Sequence, residues 1–237
     1  MSSQRLVEGE RAIIVGGIPA GVVLVGVGSR LAMLLLRVTS PDRARGVTSD
    51  DGFTIGQVTL AGTYNLLLIG AAVGIIGAVV YQMVARWLIG PSWFRRLTTG
   101  LASGAVAGSM LVHAKGIDFT LLQPTWLAVG LFVALPTLFG TLIGVAVDAA
   151  ARPDNWTMYG KRRWLLPIVL VGCFPLTIPF ALVAAMIVGA RILMGDIGVV
   201  QRVRAASVYA FAARSVWLLI AVAGLVALIN DARALYG

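Results

Sequence analysis

Residues 28–57, GSRLAMLLLRVTSPDRARGVTSDDGFTIGQ, join the end of an apolar run to a densely charged loop. The run covers residues 12–36, which exceeds the roughly 20 residues that a helix needs to cross the hydrocarbon core of a membrane. Arg30 and Arg37 lie two helical turns apart within it and therefore share one helical face. The loop contains Asp50-Asp51-Gly52, a combination that favours a tight turn. We expect a transmembrane helix followed by a short β-hairpin-like loop.

The composition of the chain excludes an ordinary soluble protein. Of its 237 residues, 59% are hydrophobic and only 12% are charged, which leaves few charged side chains to cover the apolar surface. Similar apolar runs recur along the sequence and predict an all-α integral membrane protein, with one polytopic membrane domain over residues 1–237. Its expected architecture is a six-helix transmembrane bundle with spans at residues 12–36, 58–85, 98–112, 126–147, 164–190 and 215–230. Residues 191–214 mix arginines with apolar residues and are interpreted as an interfacial amphipathic segment.

The net charge of +9 is distributed in a way that favours lipid over nucleic acid as a partner. The arginines stand at the ends of apolar runs, which is typical of loops that face anionic lipid and the cytoplasm. No groove-reading module is present, so we expect no nucleic-acid partner. The expected partners are membrane lipids, together with other membrane subunits or further copies of the chain. The third loop carries only Lys115, which favours an external third loop and two cytoplasmic termini in a bacterial-type cytoplasmic membrane.

Glycines recur at helical spacing within the apolar runs. One set consists of Gly100, Gly104 and Gly108, and another of Gly70 and Gly74. Glycines four residues apart make a flat helical face, along which a second helix can approach closely. We interpret these faces as helix-packing surfaces, with a pore lining as the alternative.

A short motif is repeated along the chain. Residues 53–59, FTIGQVT, and residues 119–125, FTLLQPT, share Phe, Thr, Gln and Thr in register. The same offset aligns Gly74 with Gly140 and Arg86 with Arg152. Each copy stands between a loop that contains aspartate and a following apolar span. The pattern favours a bundle built from duplicated helical hairpins.

Polar residues around the first and third loops form a candidate ligand-binding site. An arginine at the edge of the hydrocarbon needs a partner or water, and the loop aspartates are the nearest carboxylates by topology. Arg30 would either extend outward to the membrane edge or point inward at a carboxylate or a ligand with an anionic or polar headgroup. The alternative for the whole set is a structural lid of solvated loop charges. The candidate residues are Arg30, Arg37, Asp50, Asp51, Gln57, His113, Asp118 and Gln123.

The sequence offers little for catalysis. His113 is the only histidine and Cys173 the only cysteine, so bis-histidine haem, a Cys/His zinc site and an internal disulfide are excluded within one chain. The spans hold almost no ionisable side chain of the kind that proton-coupled carriers use. We therefore assign no catalytic residue, no metal and no cofactor, and the chain is not expected to be an enzyme.

The expected role is that of a non-catalytic subunit, assembly factor or interaction protein of the membrane. The alternatives are a channel or carrier for a small or amphiphilic solute and, after that, a membrane-embedded enzyme. The placement of polar residues in the spans distinguishes the first two hypotheses. A pore would collect them around one axis, whereas a packing bundle would leave them bonded to nearby backbone carbonyls. The residues concerned are Thr63, Asn65, Ser103, Ser109 and Thr141.

Overall fold

The computed structural model describes residues 3–41, 46–47, 58–113, 116, 119, 121–152, 154–155, 164–195 and 207–236. The described elements are helical, which confirms the prediction of an all-α protein. They are α1 Ser3–Gly21, a π-helical segment Val22–Val27, α2 Gly28–Thr39, α3 Leu60–Val84, α4 Ser92–Leu111, α5 Thr125–Ala150, α6 Leu165–Cys173, α7 Thr177–Gly195 and α8 Ser207–Tyr236. The predicted β-hairpin-like loop lies outside the described residues, apart from Gly46 and Val47.

Four helices of the described chain are long and apolar enough to cross a membrane, so the structure supports a membrane protein with transmembrane helices. They are Gly9–Thr39, Leu60–Val84, Thr125–Ala150 and Val208–Tyr236. Two of the six predicted spans do not meet the same criterion. Helix α4 has 20 residues but carries Arg95 and Arg96 near its start. Residues 164–190 are divided between α6 and α7, and the nine residues of α6 extend only about 14 Å.

Helices α1, α3, α4 and α5 form the core of the bundle, in antiparallel pairs. We call end A the end at which α1 begins and α3 and α5 finish, and end B the opposite end, at which α2 finishes. The main apolar core is built by α1, α3 and α5, whose Ile13, Ile75 and Ile143 are almost completely buried. A second apolar cluster at end B joins Leu36 of α2 to residues of α5 and α8.

Helices α1 and α3 approach so closely that their backbones touch. A methyl group built on Gly70 would lie 2.7 Å from the carbonyl oxygen of Gly21 and 2.8 Å from the backbone nitrogen of Gly26. A methyl group on Gly74 would collide with the carbonyl oxygen of Gly17. Small residues permit this contact because no side chain separates the two helices. The pair Gly17 and Gly21 of α1 therefore packs against the pair Gly70 and Gly74 of α3.

A π-helical segment interrupts the first long helix where it crosses α3. The N–H of Gly28 donates to the carbonyl oxygen of Val23, five residues earlier. A π turn holds about one residue more than an α turn, so Gly26 follows Gly21 on the face that meets α3, although the two are five residues apart. The extra residue rotates all of α2 relative to the register of α1.

Helices α4 and α5 form the second close antiparallel pair. A methyl group on Gly100 or on Gly104 would collide with the hydroxyl of Thr141 or of Thr137, respectively. On the α5 side, a methyl group on Gly140 would lie 3.0 Å from the Cα of Gly100. The glycine face of α4 is therefore filled by threonines, and not by a second row of glycines alone.

The helix is interrupted at residues 174–176, within the region predicted as a fifth span. The hydroxyl of Tyr64, in the first turns of α3, donates to the carbonyl oxygen of Cys173 at 3.2 Å. The end of α6 therefore lies toward end B. Helix α7 then packs against α3 and α1, and its Ala184 joins the main core.

Helix α8 runs parallel to α4, and the described chain therefore finishes at end B. Near end A, Arg214 Nε donates to the carbonyl oxygen of Trp87 at 2.6 Å. Farther along, Gly224 faces the backbone of Val106, and Leu228 faces Gly108. The two ends of the described chain thus lie at opposite ends of the bundle. Residues 164–190, predicted as one span, form two helices with a break.

Candidate functional site

The two arginines of α2 lie at the border of its buried side. Arg30 and Arg37 are both partly buried, and Leu36 and Ser40 beside them are buried. The remaining surface of the helix carries exposed apolar side chains, as expected for a face in contact with lipid. These exposed residues are Leu31, Leu34, Leu35 and Val38.

The π-helical segment explains this placement. In an unbroken α-helix, a step of four residues from Gly21 would direct Val25 and then Ser29 toward the bundle. With one more residue in the π turn, the inward positions become Gly26 and Arg30. Arg30 is partly buried at this position.

The guanidinium of Arg30 is not fully satisfied by the protein. Its Nε atom is buried and has no hydrogen-bond partner. Gly28, just before Arg30, lies beside Leu135, about ten residues into α5. Arg30 is therefore well inside the length of the bundle, and about 15 Å of helix separates it from Ser40. A buried donor without an acceptor is costly, since its hydration has been lost without replacement.

The first and third loops meet at end B through Ser40. Its hydroxyl accepts a hydrogen bond from the backbone N–H of Gln123 at 2.9 Å and lies 3.2 Å from that residue's carbonyl oxygen. The side chain of Gln123 itself is exposed. The candidate residue Gln123 therefore ties the two loops together through its main chain.

The second copy of the repeated motif anchors the third loop. Phe119 and Leu122 are buried in the apolar cluster at end B. The ring of Phe119 packs edge-on against Phe132 of α5, with 5.2 Å between the ring centroids. This copy of the motif thus packs its apolar side chains under the loop.

The other candidate residues are less informative. The side chain of His113 is exposed, and its carbonyl oxygen accepts from the N–H of Gly116 at 2.9 Å. Asp50, Asp51, Gln57 and Asp118 lie outside the described residues. In the described part of the chain, no group of three or more His, Cys, Asp or Glu side chains could hold a metal ion.

A polar cluster at end A was not predicted from the sequence. Arg96 of α4 forms an ion pair with Asp148 of α5, with 2.7 Å between Nη2 and Oδ2. The same carboxylate oxygen accepts from the hydroxyl of Tyr81 of α3 at 3.0 Å. Tyr81 is buried, whereas Arg96 and Asp148 retain 22% and 40% of their side-chain exposure. One carboxylate therefore joins three core helices.

A glycine makes room for this cluster. A methyl group on Gly144, one turn before Asp148, would lie 2.5 Å from the ring of Tyr81 and 3.0 Å from Cγ of Arg96. The predicted spans began after Arg96 and stopped before Asp148, so both were assigned to loops. The sequence did contain a signal for this pair. Arg96 precedes one apolar run, and Asp148, of opposite charge, follows the next. Antiparallel packing of two such helices brings these two ends together.

Replacing the shared acceptor should destabilise the protein. Asp148→Asn keeps the shape but removes the charge that holds Arg96 and weakens the acceptor for Tyr81. We expect a loss of about 1–3 kcal/mol, the usual worth of hydrogen bonds to a charged group, because the pair is only partly buried. Thermal unfolding in mild detergent measures it.

The matched control is Asp154→Asn, which changes an exposed aspartate in the turn after α5. It should leave the unfolding midpoint unchanged. Equal midpoints for the Asp148 variant, the control and the unaltered protein would show that the cluster does not stabilise the bundle.

Comparison of the chain with protein-family models, with curated protein sequences and with solved structures finds no match. The function proposed below therefore depends on the geometry of this chain alone.

Proposed function

We propose that the protein is a non-catalytic helix bundle of the cytoplasmic membrane, which acts as a subunit, assembly factor or interaction protein. The observation that carries this proposal is the bonding of the hydroxyl groups in the helices. Thr63 donates to the carbonyl oxygen of Thr59 at 2.9 Å, and Ser109 to that of Val106 at 2.8 Å. These hydroxyls bond within their own helices, as expected for a packing bundle.

The remaining polar residues agree with this interpretation. Thr141 donates to the carbonyl oxygen of Thr137 at 2.8 Å while filling the space above Gly100. Ser103 packs beside Gly140, and Asn65 is exposed on α3. The polar residues are thus distributed over separate helix contacts, which favours a packing bundle over a channel or carrier.

A duplicated helical hairpin is the proposed origin of the core. Helix α3 ends at Val84 and α5 at Ala150, which is the same offset that relates the two copies of the motif. Each of these helices is the second member of an antiparallel pair with close small-residue contacts. Gly74 and Gly140, aligned by the offset, both lie in these contacts.

We further propose that end A faces the cytoplasm and that the bundle crosses the membrane an odd number of times. Opposite ends of the bundle for the two termini require an odd count. Cytoplasmic segments carry more arginine and lysine, and twice as many arginines with described side chains lie near end A as near end B. The two sets are Arg11, Arg86, Arg95, Arg96, Arg152 and Arg214 at end A, and Arg30, Arg37 and Arg233 at end B.

Cysteine labelling tests this orientation. In a Cys173→Ser background, Ser3→Cys should react with a membrane-impermeant thiol reagent only from the cytoplasmic side. Ala234→Cys, exposed near the end of α8, should react only from the outside. Labelling of both positions from one side would contradict the parallel packing of α8 on α4.

Purification from native membranes in mild detergent tests the functional proposal. We expect a stable assembly with another membrane protein, or with further copies of the chain, in fixed stoichiometry on a native gel. Proteoliposomes that contain the purified chain should show no more solute flux than empty liposomes. A lone chain that conducts solutes would instead establish the channel or carrier hypothesis.

A further inference from the structure

We propose that the inner face of α2 is a binding site for an anionic phosphate group, held by Arg30 and Arg37 below the membrane surface at end B. This site goes beyond the proposed function, since a packing bundle does not require it. The residues that form it are placed by the π-helical segment, which sets the rotation of α2 relative to α1 and leaves both arginines partly buried. The same helix exposes Leu31 and Leu35 on the side away from both arginines.

Arg30 needs an acceptor that the described protein does not supply. Its Nε is buried without a hydrogen-bond partner, and about 15 Å of helix separates Arg30 from Ser40 at the end of α2. Within the described ranges, Arg37 takes part in no ion pair either. An arginine in the hydrocarbon region is costly and is generally retained where it has a functional partner.

The chemistry of the two side chains selects the class of ligand. A guanidinium is a planar fork of N–H donors that matches the oxygens of a phosphate in bidentate fashion. Two such forks on one helical face are separated by two turns, about 10 Å along the axis. Arg37 is the arginine nearer to the loops at end B. An anion can therefore meet Arg37 first and then bind to Arg30, which lies farther inside the bundle. The ligand is therefore a phosphate group without a neighbouring cation, borne by a lipid headgroup of net negative charge or by a free anion.

Among the described helices, the surroundings of α2 are mostly apolar. Its main contacts outside the first long helix are α5 and α3, and both are apolar along most of their length. Leu31 and Leu34 are exposed apolar side chains beside the arginines, so an acyl chain can lie along them while the headgroup reaches the arginines. This arrangement favours an amphiphile, although a free phosphate would satisfy the same donors.

Binding to the purified protein tests the site. The protein in uncharged detergent is titrated separately with phosphatidylglycerol, phosphatidylcholine and inorganic phosphate, while the midpoint of thermal unfolding is followed. We expect phosphatidylglycerol to raise the midpoint and Arg30→Gln to weaken this binding about tenfold or more. The control is Arg233→Gln, which removes an exposed arginine near the same end and should bind as the unaltered protein does.

The outcomes separate the two sources of phosphate. Protection by phosphatidylglycerol alone identifies a lipid headgroup, and Arg30-dependent protection by inorganic phosphate identifies a free anion. Equal effects of phosphatidylglycerol and phosphatidylcholine, or equal binding by the Arg30 variant, would overturn the proposal.

A second measurement keeps both arginines in place, in case Arg30→Gln fails to fold. A photoactivatable residue is introduced at Met33, which is partly buried one turn after Arg30, or at Leu31 on the exposed side. Cross-linking at Met33 should select probes of net negative charge, such as phosphatidylglycerol, over zwitterionic phosphatidylcholine. Cross-linking at Leu31 should show no preference for the headgroup. The absence of any preference at Met33 would contradict the site.

Discussion

Gly74→Ala should destabilise the protein by about 3 kcal/mol or more, at the upper end of the range for overpacked contacts. The added methyl group would collide with the carbonyl oxygen of Gly17 and lie 3.1 Å from the Cα of Gly21. Both obstacles are backbone atoms, so no side-chain rotation relieves the collision. The two helices would have to separate along the whole crossing, where Gly70 is equally confined.

The control for Gly74→Ala is Gly130→Ala. Gly130 is an exposed glycine of α5, and a methyl group there would meet nothing within 4 Å. Its replacement should be neutral or slightly stabilising, because alanine has the higher helix propensity. Thermal unfolding of the two variants in the same detergent gives the comparison. Similar midpoints for both would show that α1 and α3 can separate without loss of stability.

Gly104→Leu should have the second largest effect, a loss of about 2–3 kcal/mol. Gly104 faces Thr137 of α5, whose hydroxyl would collide with even a methyl group on Gly104. Here the nearest obstacle is a side chain, and the backbone of Val133 is 3.2 Å away. The helices of this pair are therefore confined less strictly than α1 and α3.

This difference predicts a rescue. Gly104→Ala alone should destabilise the bundle, and Gly104→Ala combined with Thr137→Ala should recover most of the loss, because the second change removes the colliding hydroxyl. No equivalent rescue exists for Gly74→Ala at the α1–α3 crossing, because the atoms that its methyl group would meet belong to the backbone. A double variant no more stable than Gly104→Ala would show that the backbones of α4 and α5, rather than Thr137, limit the approach. An unchanged midpoint for Gly104→Leu would show that this face of α4 meets lipid.

The helical class and the membrane environment could be predicted from composition and from the length of the apolar runs. Both follow from local physics, since a run of about 20 apolar residues is stable in lipid only as a helix that satisfies its own backbone. The glycine spacings likewise indicated faces for close contact. The sequence did not show which faces meet, because a glycine face accepts either another glycine row or a row of threonines.

At the candidate site, too, one part could be predicted from the sequence and another depends on the packing of the helices. The sequence placed Arg30 and Arg37 on one face, since this depends only on their separation along a helix. Whether that face points inward depends on the π turn at Val22–Val27, which inserts one residue where the helix crosses Gly70. No local pattern in VVLVGV, five apolar residues and one glycine, demanded this turn, which lies where the helix packs against α3.

The sequence by itself determined that the chain is a set of membrane-length helices with small-residue faces and paired arginines. Only the tertiary structure decided the direction of α8, the break at residues 174–176 and the cluster of Arg96, Asp148 and Tyr81. The physical reason is range. Helix formation and hydrophobic length depend on neighbours a few residues away, whereas Arg96 and Asp148 are 52 residues apart in sequence. They become partners only when α4 and α5 pack in antiparallel register.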